Sequence, residues 1–198
     1  EDNVPLKNHM IVSPDLDTSY EEMYAGYVNE LKKNDFLVCN LHGDKAKEIP
    51  FFLGEDNAHE RYTVATQPLM MSEAAPYIFN TVACYGARYI DYQLEDSMLL
   101  CAMSYGTMLY CGACDLTLGG QDMEGYSELL MKLYGIYLHK GIPAGLALIK
   151  AKQDYYRTCY NDEEEESAMY TVLEFNLFGC PLISMQPKIA MDYSTTLL

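Results

Sequence analysis

Three short apolar runs, separated by longer segments with helical patterns, constrain the fold of this chain more than any other feature. The runs are FLVCNL at 36–41, YIFNTVA at 77–83 and TMLYCGA at 107–113. Continuous apolar runs of this length, bounded by turn-forming residues, are typical of strands buried on both faces. Strands that alternate with helices usually form a mainly parallel sheet with helices on both faces. The sequence therefore predicts a three-layer α/β domain.

The remaining segments complete this prediction. Ser19 and Glu22 have the spacing of a capping box, which predicts a helix over 17–33. Glycines typical of helix ends stop three of the later helical patterns. A hairpin is expected where the chain turns near Gly54 and Asn57, and an edge strand is expected after the last helical segment. These predictions place further helices at 94–106, 122–140, 143–157 and 166–178, the hairpin within 50–65 and the edge strand at 181–186.

Length, composition and charge narrow the class of protein. A chain of 198 residues with 49% hydrophobic and 21% charged residues fits one folded domain. The net charge of −16 argues against a nucleic-acid partner, because phosphate binding needs clustered Lys and Arg. No stretch reaches the roughly 18 to 20 consecutive apolar residues that span a bilayer, so no membrane span is expected.

The seven cysteines raise a redox alternative. Because seven is odd, at least one cysteine lies outside any intramolecular disulfide. Cys111 and Cys114 form a Cys-x-x-Cys pair, but the chain has no second such pair to complete a zinc site, and no metal is expected. A thiol oxidoreductase using these two residues stays an alternative, and it predicts a helix that starts at the pair.

One His and one Cys each follow an apolar run directly. His42 follows the first run and Cys84 the second, and each is followed by a glycine within two residues. Because neighbouring parallel strands end at the same edge of a sheet, we expect the two side chains to meet there. Cys84 would act as nucleophile and His42 as general base and acid. The N–H groups of Gly43 and Cys84 would form an oxyanion hole.

This arrangement resembles a known family. Val82-Ala83-Cys84-Tyr85-Gly86, with a His about 40 residues upstream, is similar to the caspase signature, Gln-Ala-Cys-x-Gly with its His about 50 residues upstream. Three downstream blocks resemble the gingipain-like branch of the caspase-like cysteine peptidases of clan CD. They are AMSYGTMLYCGACDLTLGG at 102–120, LMKLYGIYLHKGIPAGLALIKAKQDY at 130–155 and YTVLEFNLFGCPLI at 170–183.

The resemblance, which covers roughly residues 36 to 185, implies a caspase-like three-layer fold in a single domain over 1–198. It implies a cysteine endopeptidase that acts on peptides or proteins without a cofactor, in a secreted or cell-surface location. Cys180 stands where the branch usually has Asp, and Val82 where it usually has Gln or Asn. Caspase-like sheets commonly have six strands, so some N-terminal strands are expected to be missing or to lie within residues 1–14.

The resemblance also suggests a substrate pocket. Gingipain-like enzymes often cleave after Arg or Lys, and the turn after the third strand would place Asp115 beside Cys84, with Cys114 in the pocket wall. An Asp after a small-residue turn often bonds nearby backbone instead, and this alternative stays open. A second alternative is a catalytically inactive caspase-like module that serves as an interaction or surface domain. The sequence leaves the oligomeric state open.

Overall fold

The computed structural model describes residues 36–43, 51–55, 61–65, 75–118, 126–159 and 165–185. The predicted helix at 17–33 and any strand within 1–14 lie outside these ranges. The strands are β1 (Phe36–Cys39), β2 (His42–Gly43), β3 (Phe51–Glu55), β4 (Arg61–Ala65), β5 (Ile78–Thr81), β6 (Leu109–Ala113) and β7 (Phe175–Gly179). The helices are α1 (Met98–Ser104), α2 (Tyr126–His139), α3 (Ala144–Cys159) and α4 (Glu165–Glu174).

The main sheet has four strands in the order β1-β5-β6-β7. β1, β5 and β6 are parallel, and β7 runs antiparallel to β6. The α/β class predicted from the three apolar runs is therefore confirmed, and the sheet is mixed. A second sheet of three antiparallel strands, β2-β3-β4, contains the predicted hairpin. The hairpin's connection at 56–60 lies outside the described residues.

Successive residues of the central strands contribute to two separate hydrophobic clusters. Ile78 and Leu109 pack with residues of α2, α3 and α4, whereas Phe79 and Tyr110 pack with residues of α1. Because neighbouring side chains of a strand point to opposite faces, the two clusters cover the two faces of the sheet. No helix in the described part of the chain is long and apolar enough to cross a membrane.

The carboxyl-terminal prediction was wrong in two respects. The helix predicted at 166–178 ends at Glu174, and residues 175–179 form β7. The edge strand predicted at 181–186 is absent from its described part, where 181–182 form a turn and 183–185 are irregular. Phe175 is buried and Asn176 exposed, an alternation that suits a strand. Pairing with β6 therefore prevails over the continuing helical pattern.

The other elements differ from prediction mainly at their ends. The strand predicted at 36–41 stops at Cys39, and His42 starts β2 in the second sheet. The helix predicted at 94–106 is divided into a short 3-10 turn at Leu94–Asp96 and α1. Ser97 separates the two, because its hydroxyl accepts a hydrogen bond from the Leu100 N–H and caps α1.

Candidate active site

Cys84 lies in a turn that begins just after β5. Two hydrogen bonds hold the approach to this turn: the Val82 N–H donates to the Cys39 carbonyl at 3.0 Å and the Ala83 N–H to the Thr81 hydroxyl at 3.1 Å. The first extends the pairing of β5 with β1. Cys84 itself is partly exposed, and it therefore lies on the fold's surface at the carboxyl end of a central parallel strand.

The residue after Cys84 has an unusual backbone conformation. Tyr85 has a φ of 56°, in the left-handed region that bulky residues rarely adopt. Its N–H donates to the Asp115 carbonyl at 2.8 Å, and the Ala87 N–H donates to the Ala113 carbonyl at 2.8 Å. The hydroxyl of Tyr110, a residue of β6, donates to the Gly86 carbonyl. Strained backbone of this kind persists where surrounding contacts hold it, and here β6 and the residues after it do so.

Gly43 lies directly against the backbone of Cys84. A Cβ added to Gly43 would be 1.8 Å from the Cys84 carbonyl oxygen and 3.0 Å from the Cys84 nitrogen. Only glycine permits this close approach. The structure thus brings the His-Gly and Ala-Cys segments together, although β3 and β4 lie between them along the chain. His42, the neighbour of Gly43, has an exposed side chain.

The backbone N–H groups in the Cys84 turn differ in their hydrogen bonding within the described residues. Among the residues that the structure describes, none accepts a hydrogen bond from it, whereas the N–H groups of Tyr85, Gly86 and Ala87 all donate to backbone carbonyls. A buried or half-buried N–H without a partner is rare in folded proteins. Within the described residues, the Cys84 N–H is therefore the group that fits the predicted role of an oxyanion donor.

Thr117 contacts the sulfur of Cys84, and sequence reasoning did not identify it. Its hydroxyl lies 3.2 Å from Cys84 Sγ, and its N–H donates to the same sulfur at 3.3 Å. The Thr117 hydroxyl also donates to the Val82 carbonyl at 2.9 Å. Thr117 lies in an irregular loop after β6, and a single Thr in such a loop matches no motif that would have indicated this contact.

The Cys111 and Cys114 pair does not have the geometry of a redox site. Cys111 is fully buried within β6, and burial raises the pKa of its thiol to about 12. Cys114 follows the strand, and no helix starts at the pair as the oxidoreductase alternative requires. Burial also raises the pKa of Cys114, whereas redox cysteines need a lowered pKa. The described residues contain no group of three or more His, Cys, Asp or Glu that could hold a metal ion.

Asp115 is exposed and lies beside the Cys84 turn, as the sequence suggested. Its carboxylate accepts a hydrogen bond from the Leu116 N–H at 2.9 Å, so it does bond local backbone. Partial burial and the Asp115 carboxylate together raise the pKa of Tyr85. Cys114 is half-buried, and its sulfur accepts a hydrogen bond from the Asn176 side chain at 3.4 Å. Asp115 therefore has a structural role and also faces the residue next to Cys84.

Glu174 is a second acid in this region that sequence reasoning missed. It is 7% exposed, and neither carboxyl oxygen has a hydrogen-bond partner. Burial raises the pKa of Glu174 to about 7, and the charge of Asp115 adds to the rise. The Tyr170 hydroxyl is close enough to offset part of this rise, although it does not make a hydrogen bond with either oxygen. The surroundings of Glu174 therefore favour its neutral form more than those of an exposed glutamate do.

Comparison with protein-family models, with curated proteins and with solved structures gives no match for this chain.

Proposed function

We propose that this chain is a cysteine endopeptidase of caspase-like arrangement, in which Cys84 and His42 form the catalytic dyad. The observation that carries the proposal is the packing of Gly43 against the Cys84 backbone. That contact places the residue after His42 directly against the backbone of the residue that carries the proposed nucleophile. A glycine at this point suits a site in which two backbone segments must approach one substrate atom.

In the proposed reaction, His42 takes the proton of the Cys84 thiol as the sulfur attacks the scissile carbonyl carbon. The carbonyl oxygen becomes an oxyanion, which accepts hydrogen bonds from the N–H groups of Cys84 and Gly43. The carbon–nitrogen bond then breaks, and His42 gives its proton to the leaving amine. A water molecule, deprotonated by His42, hydrolyses the resulting thioester and restores the thiol.

Three features of the described residues support this proposal. The Cys84 N–H lacks an acceptor among them, as an oxyanion donor should before substrate binds. The turn after Cys84 is tied to the end of β6 by two backbone hydrogen bonds, which limits the movement of the nucleophile. Cys84 is also partly exposed, in contrast to the buried thiols of Cys39, Cys101 and Cys111. Precise placement of the reacting groups is a large part of enzymatic rate enhancement.

We propose that the substrate is a peptide or protein cleaved after a basic residue, with Asp115 at the pocket. The carboxylate lies on the loop that touches both Tyr85 and Cys84. The net charge of −16 would also attract basic peptides. We therefore expect the preference for the residue before the cleaved bond to depend on the charge of Asp115.

The test uses matched fluorogenic peptides that end in Arg, Lys, Asp or Leu. We expect the Arg and Lys peptides to be cleaved best, and Asp115→Asn to reduce kcat/KM for them on the order of tenfold, because a charged hydrogen bond is lost. Cys84→Ala is expected to abolish cleavage of all four peptides. Asp91→Asn removes the same charge from another exposed position and serves as the control.

Two outcomes would contradict parts of this proposal. A preference for Asp or Leu, or an Arg preference that Asp115→Asn leaves unchanged, would exclude Asp115 from the pocket. Absence of cleavage by the wild-type chain, for these peptides and for a mixed peptide library, would favour a catalytically inactive interaction module.

A further inference from the structure

We propose that Thr117 is a positioning residue, which holds the Cys84 sulfur for attack and accommodates both of its protonation states. The inference rests on the proposed peptidase function, since it concerns the same nucleophile. It is carried by the contacts of Thr117, which reaches the sulfur with its side chain and with its backbone from 33 residues along the chain.

The hydrogen atoms at this contact can be accounted for. A threonine hydroxyl has one hydrogen and two lone pairs. Thr117 donates that hydrogen to the Val82 carbonyl at 2.9 Å. Its oxygen therefore presents a lone pair to Cys84 Sγ, which is 3.2 Å away. The Cys84 S–H group can then donate to the Thr117 hydroxyl oxygen at 3.2 Å or to the Thr117 carbonyl at 3.8 Å, while the Thr117 N–H donates to the sulfur at 3.3 Å.

The same contacts also suit the thiolate that must form before attack. Once the thiol has lost its proton, the sulfur needs donors and no longer supplies one. The Thr117 N–H is already directed at it. The hydroxyl hydrogen can rotate from the Val82 carbonyl to the sulfur, because a hydroxyl rotor adopts whichever direction offers the better acceptor. Thr117 thus keeps its contact with Cys84 throughout the proton transfer, and the sulfur does not have to move.

The position of Thr117 in the fold explains how it can restrain the sulfur. Val82 lies at the end of β5, and its N–H donates to β1. Thr117, in the loop after β6, contacts both the Val82 carbonyl and the Cys84 sulfur with its hydroxyl group. The carbonyl of Asp115, in the same loop, accepts the Tyr85 N–H at 2.8 Å. The loop therefore makes hydrogen bonds to the residues that precede and follow Cys84 in the chain. A displacement of Thr117 would change the position of the sulfur relative to the oxyanion donors.

The test compares Thr117→Val, which keeps the shape but lacks the hydroxyl, with Thr117→Ser, which keeps the hydroxyl. Two quantities are measured for each: kcat and KM on the best peptide, and the rate at which iodoacetamide alkylates Cys84, followed by peptide mapping from pH 5 to pH 9. We expect Thr117→Val to lower kcat about tenfold with KM within twofold of wild type, because one hydrogen bond to the reacting group is lost. Its pH profile of Cys84 alkylation should also shift, and Thr117→Ser should restore both.

Several results would overturn the proposal. Equal behaviour of the Val and Ser variants would do so, whether both match wild type or both are impaired, because the Ser variant keeps the hydroxyl and the Val variant lacks it. Thr117→Ala, which also lacks the hydroxyl, must resemble the Val variant. Alkylation does not require peptidase activity. If the wild-type chain cleaves no peptide, the proposed function fails, while the alkylation profiles still decide whether Thr117 positions the sulfur.

Discussion

Replacing Gly43 with alanine is expected to lower the peptidase activity by a factor on the order of 100 or more. The new methyl group would lie 1.8 Å from the Cys84 carbonyl oxygen, and this is an overlap with backbone that no side-chain rotation can relieve. β2 and the Cys84 turn would have to separate by more than an ångström. A misplacement of about 1 Å in an active site can cost about a hundredfold in rate.

The same substitution should reduce the free energy of unfolding. Overpacking in a tightly fitted contact typically costs about 1 to 3 kcal/mol, and chemical denaturation of the wild type and the variant would measure it. Gly135→Ala is the matched control. Gly135 lies within α2, and an added Cβ there meets no atom of the other described residues within 4 Å, apart from the backbone of its own helix. This variant should keep wild-type activity and gain up to about 1 kcal/mol, because alanine favours a helix.

Gly43→Ala has a clear opposing outcome. Wild-type activity together with a wild-type free energy of unfolding would show that β2 does not pack against Cys84 in solution. The proposed dyad would then lose the contact on which it rests.

Replacing His42 with alanine is expected to lower kcat/KM by about 100- to 10,000-fold, the usual loss when a general base is removed. The thiol would have no positioned group to take its proton, and the leaving amine would have no acid. Initial rates on the best fluorogenic peptide would measure the effect.

The control for this experiment is a second histidine. His139 ends α2 near the amino end of β1, where its ring centroid lies 6.0 Å from that of Phe36. His139→Gln should leave kcat/KM within about threefold of wild type, since His139 has no part in the proposed chemistry. Equal losses from His42→Ala and His139→Gln would indicate a general effect on folding and would contradict the role of His42.

The elements of the sheet could be predicted because their residues follow a simple pattern. The run that became β6 is apolar from Leu109 to Ala113, β5 is apolar except for Asn80 and Thr81, and every residue of both strands is buried. β7 could not be predicted in the same way. Its residues follow α4 without a break, and only the partner strand β6 distinguishes a strand from another helical turn there. Long-range pairing of this kind overrides local propensity.

The candidate site could be predicted only in its local parts. His42, Gly43 and Cys84 follow apolar runs, and parallel strands bring such ends together. The contact of Thr117 with Cys84 joins residues 33 positions apart through an irregular loop, so no local pattern encodes it. The burial of Glu174 likewise depends on the junction of α4 and β7, which the sequence analysis had placed within one helix.

The most direct test of the dyad is limiting alkylation with iodoacetamide, followed by peptide mapping of all seven cysteines. The structure predicts large differences in their alkylation rates. Cys84 is partly exposed, whereas burial raises the pKa of Cys101 to about 11 and of Cys111 to about 12. Cys180 is exposed and lies away from any proposed partner, so it provides the rate of an ordinary accessible thiol.

We predict that Cys84 is labelled faster than Cys180 and the other five cysteines, and that His42→Ala reduces its labelling to the rate of Cys180 or below. A thiol paired with an imidazole reacts faster than an ordinary one. Labelling that falls mainly on Cys111 or Cys114, or labelling of Cys84 that His42→Ala leaves unchanged, would contradict the His42–Cys84 dyad.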